Sequence, residues 1–112
     1  MFSKYDPEGY SDPLPGIRMK TLCYGERTLM TEFRLSAGSE LPLHNHVYEQ
    51  IGYLVSGSLR LTIGSEERVI TAGESWCIGE NVRHGAQCLD DAVAVEVFSP
   101  VREDYIPADD RS

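Results

Sequence analysis

Hydrophobic and polar residues alternate along much of this chain with a period of two, the spacing typical of half-buried β-strands. In the segment 29–35 this alternation places Leu29, Thr31, Phe33 and Leu35 on one face. Helical periodicity is scarce, and only the stretch 100–106 is compatible with a single helical turn. Short strands separated by glycine-rich turns predict an all-β sandwich or barrel.

Turn-forming residues mark where these strands should begin and end. The dipeptide Ser56-Gly57 is expected to end one strand, and Asp90-Asp91 is expected to form the turn before the last one. A hairpin is predicted around residues 25–28 and another around residues 64–67. The predicted strands are 17–24, 29–35, 51–55, 59–63, 68–71, 75–78 and 92–98.

The first residues differ in composition from the rest. Prolines at positions 7, 13 and 15 exclude a regular helix in residues 1–16, so this segment is predicted to be an extended N-terminal arm. Its apolar side chains, such as Phe2 and Tyr5, suggest that the arm docks against the body or a partner subunit. Residues 17–112 are then predicted to form a single β-barrel domain.

The segment 51–55 is apolar at every position except a glycine, so both faces of this strand need cover. In a small barrel one face meets the interior and the other must meet something else. A second copy of the chain is the expected cover, and a homodimer is predicted.

Composition and charge exclude several functions. A formal net charge of -8 opposes binding to nucleic acid or to an anionic membrane surface. No apolar stretch approaches the roughly 20 residues of a membrane span, and the three cysteines lack a CxxC spacing. A cytoplasmic location is expected. Cys77 and Cys88 are expected to pack in the core as small apolar side chains, the alternative being thiolate ligands or nucleophiles. A small acidic ligand is still allowed, because a local positive site can exist inside an acidic protein.

Two histidines one residue apart suggest metal chemistry. If the strand pleat extends through them, His44 and His46 share a face with Gln50, whereas Glu49 points away. A bulge near Tyr48 would instead bring Glu49 to the imidazoles. Neutral imidazoles suit divalent Zn, Fe, Ni, Cu or Mn. The alternative is a set of hydrogen-bonded imidazoles without a metal.

The third histidine, His84, lies in a second stretch, and the two stretches together resemble the two motifs of the cupin family. The first motif, G-x5-H-x-H-x3-E-x6-G, is matched by Gly38, His44, His46 and Gly57, with Gln50 in place of the glutamate. The second, G-x5-P-x-G-x2-H-x3-N, is matched by Gly73 and His84, with Gly79, Asn81 and Cys88 as departures.

This resemblance implies a cupin double-stranded β-helix, or jelly-roll barrel, that binds one divalent transition metal per chain, of which Ni, Fe, Mn and Zn are candidates. The stretch 98–106 further resembles small cupins of the pectin-degradation type, which linearise 4,5-unsaturated uronates. Residue by residue, the resemblance implies the metal ligands His44, His46, Gln50 and His84. It also implies Glu96 and Arg102 as catalytic residues, and Phe98 and Arg102 as substrate-binding residues. Tyr53 is a further candidate for binding the substrate.

Three functions are therefore open at this point. The first is ring opening and ketonisation of a small acidic sugar by Lewis-acid and general acid/base catalysis. The second is a metal-dependent dioxygenase acting on an enol or diol, and the third is a non-catalytic cupin that binds a small molecule. A further alternative applies to Glu96 alone, which could point to solvent and pair with Arg34 or Arg60.

Overall fold

The computed structural model describes residues 1–110, which form eight β-strands and two short 3₁₀ turns. The first four strands are β1 (Ser11–Leu14), β2 (Ile17–Tyr24), β3 (Leu29–Leu35) and β4 (Glu40–His44). The others are β5 (Glu49–Ile63), β6 (Glu66–Thr71), β7 (Ser75–Ile78) and β8 (His84–Ser99). The turns are Glu103–Tyr105 and Ala108–Asp110.

The strands pair antiparallel in the order β1-β2-β3-β8-β5-β6, with β4 on β8 and β7 on β5. The two long strands β5 and β8 pair along almost their whole lengths. On its other edge, β8 contacts β4 with its first half and β3 with its second. Likewise β5 contacts β7 and then β6. The sheet therefore closes around one interior, and the all-β prediction is confirmed.

Apolar side chains from five strands fill the interior of the barrel. Leu29 and Thr31 are fully buried and Leu35 nearly so, and Phe33 is partly buried, which confirms the inward face predicted for β3. The core joins side chains from β2, β3, β5, β6 and β8, namely Ile17, Leu35, Leu54, Leu59, Leu61, Ile70, Cys88, Ala92 and Ala94. Burial of these apolar groups is the main force that holds the barrel closed.

Two predicted turns are wrong. Ser56-Gly57 does not end a strand, because β5 continues through it with shifts of register against β8, and Gly57 absorbs the distortion at a φ of +87°. Asp90 and Asp91 lie within β8. Their carboxylates accept hydrogen bonds from the Ser58 hydroxyl at 2.6 Å and from the backbone N–H of Ala37 at 2.7 Å. These bonds satisfy both acidic side chains where the pairing of β8 with β5 shifts register, and β8 continues through them.

The N-terminal segment is only partly an arm. Residues 11–14 form β1 and pair with β2, while the hydroxyl of Tyr10 donates to Glu32. The guanidinium of Arg18 lies 4.5 Å from the centre of the Tyr10 ring. Phe2 and Tyr5, by contrast, are 100% and 86% exposed. The predicted docking is therefore confirmed for Tyr10 and for Leu14, which packs against the core, but not for Phe2 and Tyr5.

Among the described residues, no helix is long and apolar enough to cross a membrane.

Candidate metal centre

Three histidines from separate elements meet at one end of the barrel. His44 ends β4 and His84 begins β8, and the two are cross-strand partners. His46 reaches them from the loop between β4 and β5. The ring centres lie 4.2, 4.9 and 5.6 Å apart, and one candidate ligand atom from each residue lies within 4.8 Å of the others. The structure thus brings together the three histidines that the two motif stretches contain.

Backbone carbonyls orient two of the imidazoles. The Nδ1 atoms of His44 and His84 each lie 2.9 Å from a carbonyl oxygen, those of Pro42 and Val82. Since a carbonyl oxygen only accepts, we assign the ring proton to Nδ1, which leaves Nε2 with a free lone pair. The buried Nε2 of His84 has no hydrogen-bond partner within residues 1–110. A buried unpaired acceptor beside two further imidazoles fits a divalent metal ion.

Desolvation favours the neutral form of two of these histidines. Burial is the largest cause that lowers the pKa of His46 and of His84, and the nearby positive charge of Arg102 lowers both further. Neutral imidazole is the form that binds a metal. The lowered pKa values of His46 and His84 and the close approach of the three imidazoles therefore both favour a metal ion at this site.

The structure places Gln50, rather than Glu49, beside the histidines. Gln50 is 5% exposed, and its Oε1 lies 2.7 Å from Nε2 of His46, whereas Glu49 is exposed. The prediction of Gln50 assumed one continuous strand from His44 to Gln50. That assumption holds only in part, because residues 45–48 form a loop and β5 begins at Glu49. The loop carries His46 to the same place that a continuous strand was expected to reach.

A departure from the second motif has a structural explanation. Asn81 stands where the motif has glycine, and its φ is +60°, a left-handed conformation that asparagine tolerates better than most residues. Its backbone N–H donates to the carbonyl oxygen of His46 at 2.7 Å. The turn at Asn81 thereby holds the loop that carries His46.

Glu96 lies behind Gln50 in the barrel interior. Its Oε1 accepts hydrogen bonds from Gln50 Nε2 at 2.7 Å and from Trp76 Nε1 at 3.1 Å. The residue as a whole keeps some exposure, but it lines an interior cavity of about 50 Å³ with mostly apolar neighbours. Desolvation therefore raises the pKa of Glu96, and the two hydrogen bonds and the charge of Arg102 offset it in part.

The solvent-facing alternative for Glu96 is wrong. Arg34 pairs with Glu32 at 2.8 Å and Arg60 pairs with Glu67 at 3.3 Å, so neither of the two arginines makes the predicted pair. Trp76 is a residue that the sequence argument missed. It is the only tryptophan of the chain and lies inside the second motif, which is the signal that could have found it.

Arg102 lies under a group of aromatic rings next to the histidines. Its guanidinium carbon is 3.9 Å from the centre of the Tyr105 ring, 4.9 Å from Tyr48 and 5.0 Å from Phe98. Phe98 is 1% exposed, and its ring centre is 6.0 Å from that of His46. The guanidinium also donates to the carboxylate of Asp104 at 2.8 Å, so it already holds one carboxylate in this conformation.

Other candidate residues lie elsewhere. Tyr53 is half exposed on the outer face of β5, because the alternation that turns Gln50 inward turns Tyr53 outward, so the structure does not bring it to the histidines. Cys88 is buried in the core, as predicted, and its thiol donates to the backbone carbonyl oxygens of Leu35 and Asp90. Cys77 is exposed, so its predicted burial is wrong.

Comparison with known proteins places this architecture in a family. The sequence profile of the cupin domain matches residues 31–100, which include both motifs and all three histidines. This chain is a cupin. The pectin degradation protein KdgF of Dickeya dadantii is 28% identical over 93 residues, which cover 81% of this chain and 84% of that protein.

Two solved cupin structures are similar over nearly the whole chain. KdgF from a Halomonas species has a TM-score of 0.89 at 27% identity, covering 95% of this chain and 100% of the other. An RmlC-like cupin from Shewanella frigidimarina has a TM-score of 0.88 at 28% identity, covering 94% and 95%. The barrel is therefore a cupin jelly roll, and its histidine cluster could hold a metal ion.

Proposed function

We propose that this cupin is a metal-dependent enzyme that opens and ketonises 4,5-unsaturated uronates. The observation that carries the proposal is the contact between Gln50 and Glu96, which places a carboxyl group of raised pKa directly behind a three-histidine cluster. A titratable group perturbed in this way is typical of acid/base catalysis. The name of the Dickeya relative, a pectin degradation protein, supports a uronate as the substrate.

The proposed reaction is an isomerisation. The hydroxyl on C1 loses a proton, the bond between C1 and the ring oxygen breaks, and C1 becomes an aldehyde. The electron pair of that bond stays on the ring oxygen, which leaves an enolate across C5 and C4. Addition of a proton at C4 gives the C5 ketone. One proton is removed and one is added, so no oxidant and no water are consumed.

Each residue group has a role in this proposal. His44, His46 and His84, with Gln50, would hold one divalent transition metal, which when bound supplies a Lewis acid for the substrate oxygens. Arg102 binds the substrate carboxylate, because the guanidinium fork matches a carboxylate and already holds that of Asp104. Glu96 exchanges the proton through a water molecule, because the interior cavity beside it has room for water but not for a sugar ring.

The size of the interior cavity supports an approach from the histidine end of the barrel. At about 50 Å³, the cavity lined by Gln50, His84 and Glu96 has room for water but not for a sugar ring. His44 and Tyr48 at the open end are only partly buried. The substrate would therefore bind between the histidines and Arg102.

The first test compares the wild-type protein with His84→Ala. Elemental analysis should give about one metal per chain in the wild type and much less in the variant. Under anaerobic conditions, the wild type should remove the ultraviolet absorbance of unsaturated galacturonate. Metal without anaerobic turnover, but with turnover that requires O₂, would replace this proposal with the dioxygenase. Metal without any turnover would favour a binding protein.

Glu96→Gln tests the proton transfer separately. The amide retains an oxygen that can accept from Gln50 and Trp76, but it cannot exchange the proton. We expect turnover to fall about 10²- to 10⁴-fold while the metal content is unchanged. Turnover equal to that of the wild type would exclude Glu96 as the acid/base.

A further inference from the structure

Trp76 reaches across a whole strand to contact Glu96. The register pairs Trp76 on β7 with Gly52 on β5, and pairs Gly52 in turn with Glu96 on β8. Two strand spacings, about 10 Å, therefore separate the backbones of Trp76 and Glu96. The indole ring spans this distance, and its Nε1 lies 3.1 Å from Glu96 Oε1.

Gly52 provides the space for this crossing. A Cβ atom at Gly52 would lie 2.2 Å from Cε2 of the indole and 2.4 Å from its Nε1, which is far inside van der Waals contact. The indole therefore lies directly on the bare backbone of β5. Any side chain at this position would block the route from Trp76 to Glu96.

The oxygen that Trp76 contacts also fixes the amide of Gln50. Nε2 of Gln50 donates to Glu96 Oε1 at 2.7 Å, so Oε1 of Gln50 faces His46, again at 2.7 Å. A flipped amide would bring its oxygen against the carboxylate oxygen. Since two N–H groups already donate to Oε1 of Glu96, a proton on this residue belongs on the other oxygen. The amide orientation is then the same before and after proton transfer.

We propose that Trp76 is a positioning residue of the metal centre, which acts through Glu96 to keep the side-chain oxygen of Gln50 directed at the histidines. This inference rests on the proposed metal site, but the contacts that carry it lie within the protein and can be tested without a metal. The indole has one donor, and the network uses it to hold an oxygen ligand in place.

A metal-free experiment tests the orientation of Gln50. In chelator-treated, nitrogen-15-labelled protein, the side-chain amide signals of Gln50 can be identified by their loss in Gln50→Glu. The two amide protons should be well separated in chemical shift, because one donates to Glu96. In Trp76→Phe, which keeps an aromatic ring over Gly52, the two signals should converge. Unchanged Gln50 signals in Trp76→Phe would overturn the proposal.

The affinity for Ni²⁺, measured by competition with a chelator, gives a second result that does not depend on activity. Trp76→Phe should weaken binding about 10- to 100-fold, as is typical when a partner of a metal ligand is removed. Tyr24→Phe is a matched control, since it also removes an aromatic donor to a carboxylate, the 3.0 Å bond to Asp110. The control should bind Ni²⁺ as the wild type does.

A double-mutant cycle separates positioning from a general effect on packing. Glu96→Leu removes the acceptor, so Trp76→Phe should weaken Ni²⁺ binding no further in that background. Equal losses in both backgrounds would show that Trp76 acts by packing and would overturn the inference. If the wild type binds none of Ni²⁺, Fe²⁺, Mn²⁺ and Zn²⁺, the proposed function fails, and the Gln50 signals still decide the role of Trp76.

Discussion

Glu96 is subject to opposing influences within a few ångströms. Its carboxyl group lines an apolar cavity, which disfavours the charge, while two N–H donors and Arg102 favour it. Desolvation is the larger influence, so the pKa lies above its usual value. Because its pKa is raised towards neutral pH, Glu96 is better suited to exchange a proton there than an ordinary glutamate is.

The raised pKa of Glu96 predicts how stability depends on pH. Because the pKa is higher in the folded than in the unfolded state, the contribution of Glu96 to stability is complete below its unfolded pKa. It is lost as the pH rises through the folded pKa. In chelator-treated protein, Glu96→Gln should therefore have a higher melting temperature than the wild type at about pH 8, and the gain should shrink towards about pH 4.

Glu49→Gln is the control for this measurement, because Glu49 is exposed and should show no comparable gain. Thermal unfolding of the three proteins across the pH range checks the prediction. A gain for Glu96→Gln that does not depend on pH would mean that desolvation of the charge is not its cause.

Substitution of Arg102 is expected to weaken substrate binding more than it slows turnover. Arg102→Lys keeps the charge but loses the planar fork and its contact with the Tyr105 ring. A lost charge-assisted hydrogen bond corresponds to about a 10- to 100-fold increase in KM for the uronate, with a smaller change in kcat. The neutral amide of the same sugar is the control ligand. An equal loss for uronate and amide would show that Arg102 does not recognise the carboxylate.

At the scale of elements, the register of β7, β5 and β8 decides which side chains meet. Trp76, Gly52 and Glu96 lie in one row across three strands, although they are far apart in the sequence. A shift of one residue in either pairing would turn Trp76 or Glu96 to the outer face. The site therefore depends on the pairing of β5 with both of its neighbours.

Gly52→Ala tests whether the Trp76 indole lies directly on the backbone of Gly52. The new methyl group would overlap the indole, so we expect a loss of about 1–3 kcal/mol in unfolding free energy and a changed emission of the single tryptophan. The cost should be smaller in a Trp76→Phe background, where the ring is smaller. Gly25→Ala is the control, since a Cβ atom there meets no atom within 4 Å. The same cost with and without Trp76 would contradict the predicted overlap.

At the scale of the whole molecule, one outer face of the barrel is apolar. Ile51, Tyr53 and Val55 on β5 are 51%, 50% and 49% exposed, and Val95, Val97 and Cys77 lie beside them. None of these six residues is charged, whereas the chain carries a net charge of -8. These six residues therefore add no charge repulsion between two copies that meet at this face. We therefore propose that a second copy covers it, as the pattern in 51–55 suggested.

Ile51→Glu should convert the proposed dimer to a monomer, because it places a carboxylate in each half of the contact. Light scattering coupled to size-exclusion chromatography measures the mass directly. Leu43→Glu, at a residue of similar exposure on β4, is the matched control and should leave the mass unchanged. A monomeric wild type would refute the proposed dimer.

The sequence by itself determined the fold and the membership of the histidine cluster. Alternation along the strands predicted an all-β fold. The resemblance of the stretches around His44, His46 and His84 to the two cupin motifs implied the family and a candidate metal site. Local patterns also selected Gln50 over Glu49, although the loop at 45–48 means that the strand argument was only partly valid.

Only the tertiary structure decided that β5 and β8 continue through their predicted turns and that Trp76 belongs to the site. The physical reason is the same in each case. Hydrogen-bond register joins strands that are distant in sequence, and no local pattern records which residue of one strand faces which residue of another. Trp76 contacts Glu96 because Gly52 lies between them, and that arrangement exists only when three strands are paired.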